Sequence, residues 1–286
     1  MYRRLSTCFC GAPTWEEVEG AAMRGDEVLV KVSSFFLGVS DRALMRCLVA
    51  APTLRVLGSV GMGKVVDQGP LVEDDLMGRV VVSSPLCRDQ VVPIDLDGAA
   101  QLYWSIPREC VEIVPSALSS NPLSTLLKYV SIPKSLRDLV SGREILVVGD
   151  DPLAIAVMEL FKKDASRLAT LAKFGPRRPL KGVELVSPSE KRRSFDAVFV
   201  LSEDPIALRC AVRLCRDRGV VVLHYVYRAI AASMPLKSLR IAVIKPAALK
   251  RGIEVLNAVK NAVASCLQIA HVENLRRVLA PSIILF

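Results

Sequence analysis

The chain has 286 residues, 51% of them hydrophobic, and a net charge of +9. That length suits one large or two ordinary domains, and that apolar fraction excludes a disordered chain. No apolar run approaches the roughly 20 residues of a membrane-spanning helix, and the start turns acidic at Glu16-Glu17, too soon for a signal core, so a soluble cytoplasmic protein with no membrane partner is expected.

In chain order, Asp26 to Val32 (DEVLVKV) alternates apolar and charged residues, as a half-buried strand does. SSFFLGVSDRALMRC reads as a turn into a short helix. Leu54 to Pro70 carries glycines at 58, 61 and 63 among strand-like residues, which predicts a bent or bulged strand pair. Gly78 to Pro85 and the run VVPIDL read as further strands. Leu96 to Pro115 gives two more, joined by a turn. Many short strands with Gly and Pro turns predict a β-rich N-terminal domain, a partly open barrel.

The pattern changes near Ser119-Ser120-Asn121-Pro122. A helix is expected over Leu123 to Val130, a strand over 145–148 and a helix over 152–163. Strands follow at 167–172, 182–186 and 197–201, the last continuously apolar as a strand buried on both faces should be. A helix at 205–217, strands at 219–226 and 239–244, and an amphipathic helix from Lys250 to Ala264 complete an α/β domain. A strand, a short helix and a final strand close the chain. Alternating strands and helices predict a doubly wound parallel sheet of the Rossmann type.

The stretch Glu144 to Lys163 (EILVVGDDPLAIAVMELFKK) is the start of a βαβ unit. In a dinucleotide-binding fold its turn would read G-x-G-x-x-G/A, with the pyrophosphate at the helix N-terminus. The three key positions are Gly149, Asp151 and Ala154. A carboxylate stands where the second glycine lets the backbone approach the pyrophosphate. Two unit charges about 4 Å apart repel by roughly 1 kcal/mol in water and about 4 kcal/mol at an effective dielectric near 20. The plainer reading is an N-cap at Asp151 followed by Pro152 at the first helical position. At the end of the next strand an NAD site wants an acidic residue. Here Ala172 stands there, followed by Lys173, Arg177 and Arg178. That argues against NAD and leaves room for NADP, whose 2′-phosphate suits guanidinium groups. A solvated basic loop is the alternative.

Charge and cysteines add two further expectations. From Lys162 to Arg193, ten basic residues face Asp164, Glu184 and Glu190, a net +7, so an anion would be met there. The eight cysteines include no Cys-x-x-Cys, and the close pair Cys8 and Cys10 cannot close a zinc site alone. They are expected as small buried hydrophobes, with a structural disulfide fitting a hyperthermophile source. Four Asn and four Gln in the whole chain lean the same way.

The order of these stretches resembles the medium-chain dehydrogenase/reductase superfamily, of the zinc-containing alcohol dehydrogenase type. DEVLVKV is similar to its opening strand. LGSVGMGKVVDQG is similar to L-G-H-E-x-x-G-x-V-x-x-x-G, sharing Leu57, Gly58, Gly63, Val65 and Gly69. DGAAQLYWSIP shares Asp97, Gly98, Tyr103 and Pro107 with D-G-G-x-A-E-Y-x-x-x-P, and AHVENLRRVL is similar to the closing helix. The resemblance covers about residues 20 to 286. It implies a GroES-like β domain over 1–120, completed by about 256–286, and a Rossmann-type domain over 121–255. By analogy it also implies a homodimer.

The functional positions depart from the family. The first zinc ligand of C-G-S-D is Gly38, and the His and Glu of G-H-E are Ser59 and Val60. No cysteine follows in Ser119 to Val130, and the structural zinc lobe has shrunk to Cys87. No zinc is therefore expected. His224 stands where the family has glycine, at the carboxyl end of the fifth strand. It is the candidate acid/base residue, with a hydrogen-bonded structural histidine as the alternative. His271 is expected to be structural. Three functions follow. The first is a zinc-independent oxidoreductase using NADPH and a small-molecule substrate. The second is a non-catalytic scaffold, a pseudoenzyme. The third, ranked last, is nucleic-acid binding through 162–193.

Overall fold

The structure is a computed structural model and describes residues 1–8, 12–49, 54–176, 180–190, 194–228, 240–272 and 281–286. The chain forms two compact units, Met1–Tyr129 with Leu267–Phe286, and Val130–Cys266.

The first unit runs through β1 (Tyr2–Cys8), β2 (Thr14–Val18), β3 (Glu27–Leu37), α1 (Val39–Met45), β4 (Leu54–Val56), β5 (Val60–Gln68) and β6 (Val80–Ser83). It continues through β7 (Leu86–Cys87), β8 (Gln90–Val91), β9 (Tyr103–Pro107) and β10 (Val111–Ile113). The second unit holds β11 (Glu144–Val148), α2 (Pro152–Phe161), β12 (Arg167–Leu171), β13 (Glu184–Val186), β14 (Phe195–Val200), α3 (Pro205–Leu214), β15 (Cys215–Leu223), β16 (Arg240–Val243) and α4 (Leu249–Cys266). The strands β17 (Gln268–His271) and β18 (Ser282–Leu285) then return to the first unit.

In the first unit the main sheet has the order β10-β6-β5-β3-β18-β17, with β9 also paired to β3. β3 organises it. Val28, Val30 and Val32 alternate inward, and Phe35 and Phe36 are wholly buried beyond them. Two register shifts in the β3–β5 ladder bend this pair. A separate sheet, β2-β1-β4, forms from residues near the N-terminus.

Several expectations are corrected here. SSFF is not a turn: β3 runs to Leu37 and α1 starts at Val39. β4 does not pair with β5; it pairs with β1. VVPIDL is not a strand: β8 ends at Val91 and turn residues follow over 92–95. The helix expected over Leu123 to Val130 is a short 3-10 turn, Pro122–Leu126, capped by the Asn121 side chain. The closing short helix falls at 273–280, outside the described residues.

The second unit is a fully parallel six-stranded sheet of order β13-β12-β11-β14-β15-β16. β11 and β14 are central and apolar throughout their paired lengths, which suits burial on both faces. Helix α3 ends at Leu214, earlier than expected, because Cys215 already takes extended backbone and enters β15. α4 continues unbroken to Cys266, so the return segment starts at Leu267 rather than near 256.

Candidate functional site

The switch point of the second unit lies where β11 and β14 diverge to α2 and α3. Gly149 leaves β11 with φ +150°. A Cβ there would sit 2.6 Å from the Leu201 carbonyl oxygen, so glycine is required by packing against the end of β14, whatever the turn binds. Asp151 follows as the N-cap of α2. Its backbone is extended, with φ −92° and ψ 170°, and its carboxylate accepts the Ala154 N–H at 2.9 Å. The side chain is wholly buried. Pro152 fills the first helical position and has no N–H to offer.

This arrangement answers the needs of the helix from within. The carboxylate satisfies a free N–H and complements the positive end of the helix dipole. A pyrophosphate would need those same donors and would meet a negative charge. The turn as built therefore does not fit a dinucleotide held in the usual way. Gly149, Asp151 and Ala154 are brought together as expected, but their contacts are to one another and to the protein.

Lys173 and His224 lie on the same carboxyl edge. Lys173 follows β12 and stacks its ammonium over the Phe174 ring at 5.6 Å. Arg177 and Arg178 lie outside the described residues. His224 follows β15 and is wholly buried. Its N–H bonds the Val200 carbonyl at 2.9 Å, its Nδ1 accepts the Val226 N–H at 3.1 Å, and its ring lies 3.9 Å from that of Tyr225. The Nδ1 bond leaves any ring proton of the neutral form on Nε2.

Two residues at this edge were not among the sequence candidates. Glu203 is buried just past β14. Tyr227 donates its hydroxyl to the Ser202 carbonyl at 2.8 Å, and burial, reinforced by the Glu203 and Asp204 carboxylates, pushes its phenol well above the usual range. A polar cluster, Ser202-Glu203-Asp204, directly after a continuously apolar strand was the available signal. Asp204 itself caps α3 through the Ile206 N–H.

In the first unit the positions that match zinc ligands are occupied by other chemistry. A Cβ on Gly38 would lie 2.7 Å from Phe36 Cε1 and 3.0 Å from the Tyr129 hydroxyl, two rings packed edge to face at 4.7 Å. They fill the volume a ligating side chain would take. Asp41, wholly buried, accepts hydrogen bonds from the N–H groups of Gly38 at 2.8 Å, Gly58 at 2.6 Å and Ser59 at 3.1 Å, and from the Ser59 hydroxyl. A carboxylate thus ties together the two segments that would hold a metal. Among the described residues no group of three or more His, Cys, Asp or Glu is placed to hold one, and these residues do not fit zinc.

The cysteines divide between the two expectations: Cys87, Cys110 and Cys215 are buried, and some are disulfide-bonded. Cys87 and Cys110 form a disulfide, and Cys47 is also disulfide-bonded. Cys210, Cys215 and Cys266 are not in disulfides, and the Cys215 thiol reaches the Val220 carbonyl at 3.9 Å. Cys87 stands in the stretch where the resemblance places a zinc lobe. No helix among the described residues is long and apolar enough to cross a membrane.

Comparison with solved structures places this fold. The chain is similar to an alcohol dehydrogenase from Escherichia coli CFT073 complexed with NADH, at 14% identity and a TM-score of 0.68, over 100% of this chain and 99% of that one. It is similar to Haloferax mediterranei glucose dehydrogenase in complex with NADP, zinc and gluconolactone, at 14% identity and TM-score 0.69, over 99% of each. It is also similar to a cobalt- and zinc-bound thermostable alcohol dehydrogenase from Pyrobaculum aerophilum, at 16% identity and TM-score 0.67, over 100% and 99%. The fold is that of the medium-chain dehydrogenases and reductases: a Rossmann-type unit with a GroES-like β unit. No protein-family model and no curated protein sequence matches the chain.

Proposed function

We propose that this chain is a zinc-independent protein of the dehydrogenase fold that has given up dinucleotide chemistry and serves as a non-catalytic scaffold. The observation that carries this reading is the buried Asp151 carboxylate bonded to the Ala154 N–H at the start of α2. Removal of the zinc chemistry at Gly38, Ser59 and Val60 supports it, as does the enclosure of His224, the acid/base candidate of the sequence.

A second reading, an NADPH-using oxidoreductase, draws on Lys173 at the end of β12 and on the NADH and NADP held by proteins of the same fold. One experiment separates the two. A ligand present at about 100 times its Kd stabilises by about 2.7 kcal/mol, which moves a melting temperature by several degrees. Titration of the chain with NADPH to millimolar concentration is expected to leave its melting temperature unchanged. A saturable upward shift, diminished in Arg177→Ala and Arg178→Ala, would instead establish the oxidoreductase reading.

A further inference from the structure

A cleft of about 620 Å³ opens entirely within the first unit, between β1, β9 and the irregular segment around Gly20 to Met23. Its rim and floor are polar, and that polarity is organised. Tyr2 and Tyr103 stand edge to face, 5.7 Å apart, both half-buried. The Tyr2 hydroxyl donates to Gln101 Oε1 at 3.4 Å, and Gln101 is itself fixed by its Nε2 bond to the Gly98 carbonyl at 3.0 Å. Arg55 is held by the Ile94 and Asp95 carbonyls at 2.9 and 3.1 Å and by the Asp97 carboxylate at 3.5 Å. On the opposite wall the Ser105 hydroxyl donates to Glu27 at 2.6 Å, and the Arg24 N–H reaches the same oxygen at 2.8 Å. These bonds set the polar lining before any ligand arrives, which lowers the ordering cost of binding.

The chemistry of the lining limits the ligand. Three cations (Arg4, Arg24, Arg55) face three carboxylates (Glu27, Asp95, Asp97), so the cleft has no net charge to attract an anion or a cation. Donors and acceptors alternate around it. Capacity remains on both sides: among the described residues Arg4 commits only Nε, to Glu16 at 3.2 Å, and Asp97 commits only Oδ1, to Val56 N–H and Arg55. The Tyr103 hydroxyl has no hydrogen-bond partner among the described residues. A ligand whose own groups both donate and accept, and whose carbon face can lie against tyrosine rings, matches this lining.

We infer that the cleft binds a neutral polyhydroxylated molecule of the sugar class. The inference does not rest on the state of the cofactor turn in the second unit. The test is titration of the full chain with methyl glucoside and with maltose, followed by ligand-observed NMR and by the fluorescence of Trp104. The Trp104 indole N–H is held by the Asp97 carbonyl at 3.0 Å within the cleft. Inorganic phosphate and glycine serve as anionic and zwitterionic probes. Saturable binding of at least one sugar is expected, weakened about tenfold or more by Arg4→Ala and by Tyr103→Ala. Should the alanine variant at 103 not fold, Tyr103→Phe keeps the ring and removes only the hydroxyl, and a several-fold loss is expected. No saturable sugar binding, binding untouched by these variants, or preferential capture of phosphate or glycine would overturn the inference.

Discussion

Asp41 and Asp151 are two buried carboxylates, one in each unit, and both accept from backbone N–H groups. Asp151 caps α2 through the Ala154 N–H. Asp41 gathers four donors from α1 and from the Gly58-Ser59 turn. Asparagine at 41 would turn an amide NH₂ against donors and leave at least one buried N–H unpaired. The expected cost of Asp41→Asn is about 2–4 kcal/mol in chemical unfolding. Burial pushes the Asp41 carboxyl above its usual range, with the Ser59 hydroxyl and the Gly38, Gly58 and Ser59 N–H groups opposing that shift. A folded-state pKa raised above the unfolded value gives stability that is complete below about pH 4 and drains as pH climbs through the folded value. The stability advantage of the parent chain over Asp41→Asn should therefore shrink as pH rises from about 4 to 7. An advantage that grows over that range would mean that the four donors outweigh burial.

At the scale of elements, the strand-turn-helix from Glu144 to Phe161 was legible because each signal is local. An unbroken apolar run marks a strand buried on both faces, and Asp-Pro marks a cap. Glu144 also anchors the opposite end of the sheet, where Arg216 pairs with both Glu144 and Asp196, and Arg167 pairs with Glu144 and Glu184. Part of the positive charge counted over 162–193 is therefore answered: Arg167 by these carboxylates and Lys162 by Glu159. That pairing depends on strand order, which a linear count of charge cannot supply. The β1–β4 pairing was illegible for the same reason, since it joins residues about fifty apart with β2, β3 and α1 between them.

The Cys87–Cys110 disulfide was hidden too, because spacing alone does not reveal that β7 and the turn after β9 meet with Cα atoms 5.2 Å apart. Both cysteines are buried. Closing a loop of 23 residues' separation is worth about 3 kcal/mol in the chain-entropy account. The double variant Cys87→Ala/Cys110→Ala, which leaves the Cys47 disulfide in place, should lose about that much in denaturant unfolding without reductant. A double variant as stable as the parent would show that packing, not the covalent link, holds this lobe.

For the whole molecule, the first unit is discontinuous in sequence: its sheet is completed only after the chain has built the second. β18 lies between β3 and β17, pairing Ser282 to Leu285 with Leu37 to Ser34. Ile283 and Ile284 are wholly buried, as are Phe35 and Phe36 opposite them. Each such isoleucine contributes about 1.5–3 kcal/mol by burial. Its removal would also uncover the phenylalanines and leave the 34–37 stretch of β3 without its partner on that edge. The second unit contains its whole parallel sheet between Val130 and Cys266, with α2 and α4 packed together. A chain ending at Cys266 should therefore lose protection selectively. In hydrogen exchange, β3 and β5 should exchange far faster than in the parent, while β11 and β14 keep their protection. Equal loss in both sets of strands would mean that the parallel sheet depends on a finished first unit, and unchanged protection in β3 would show that β18 is dispensable.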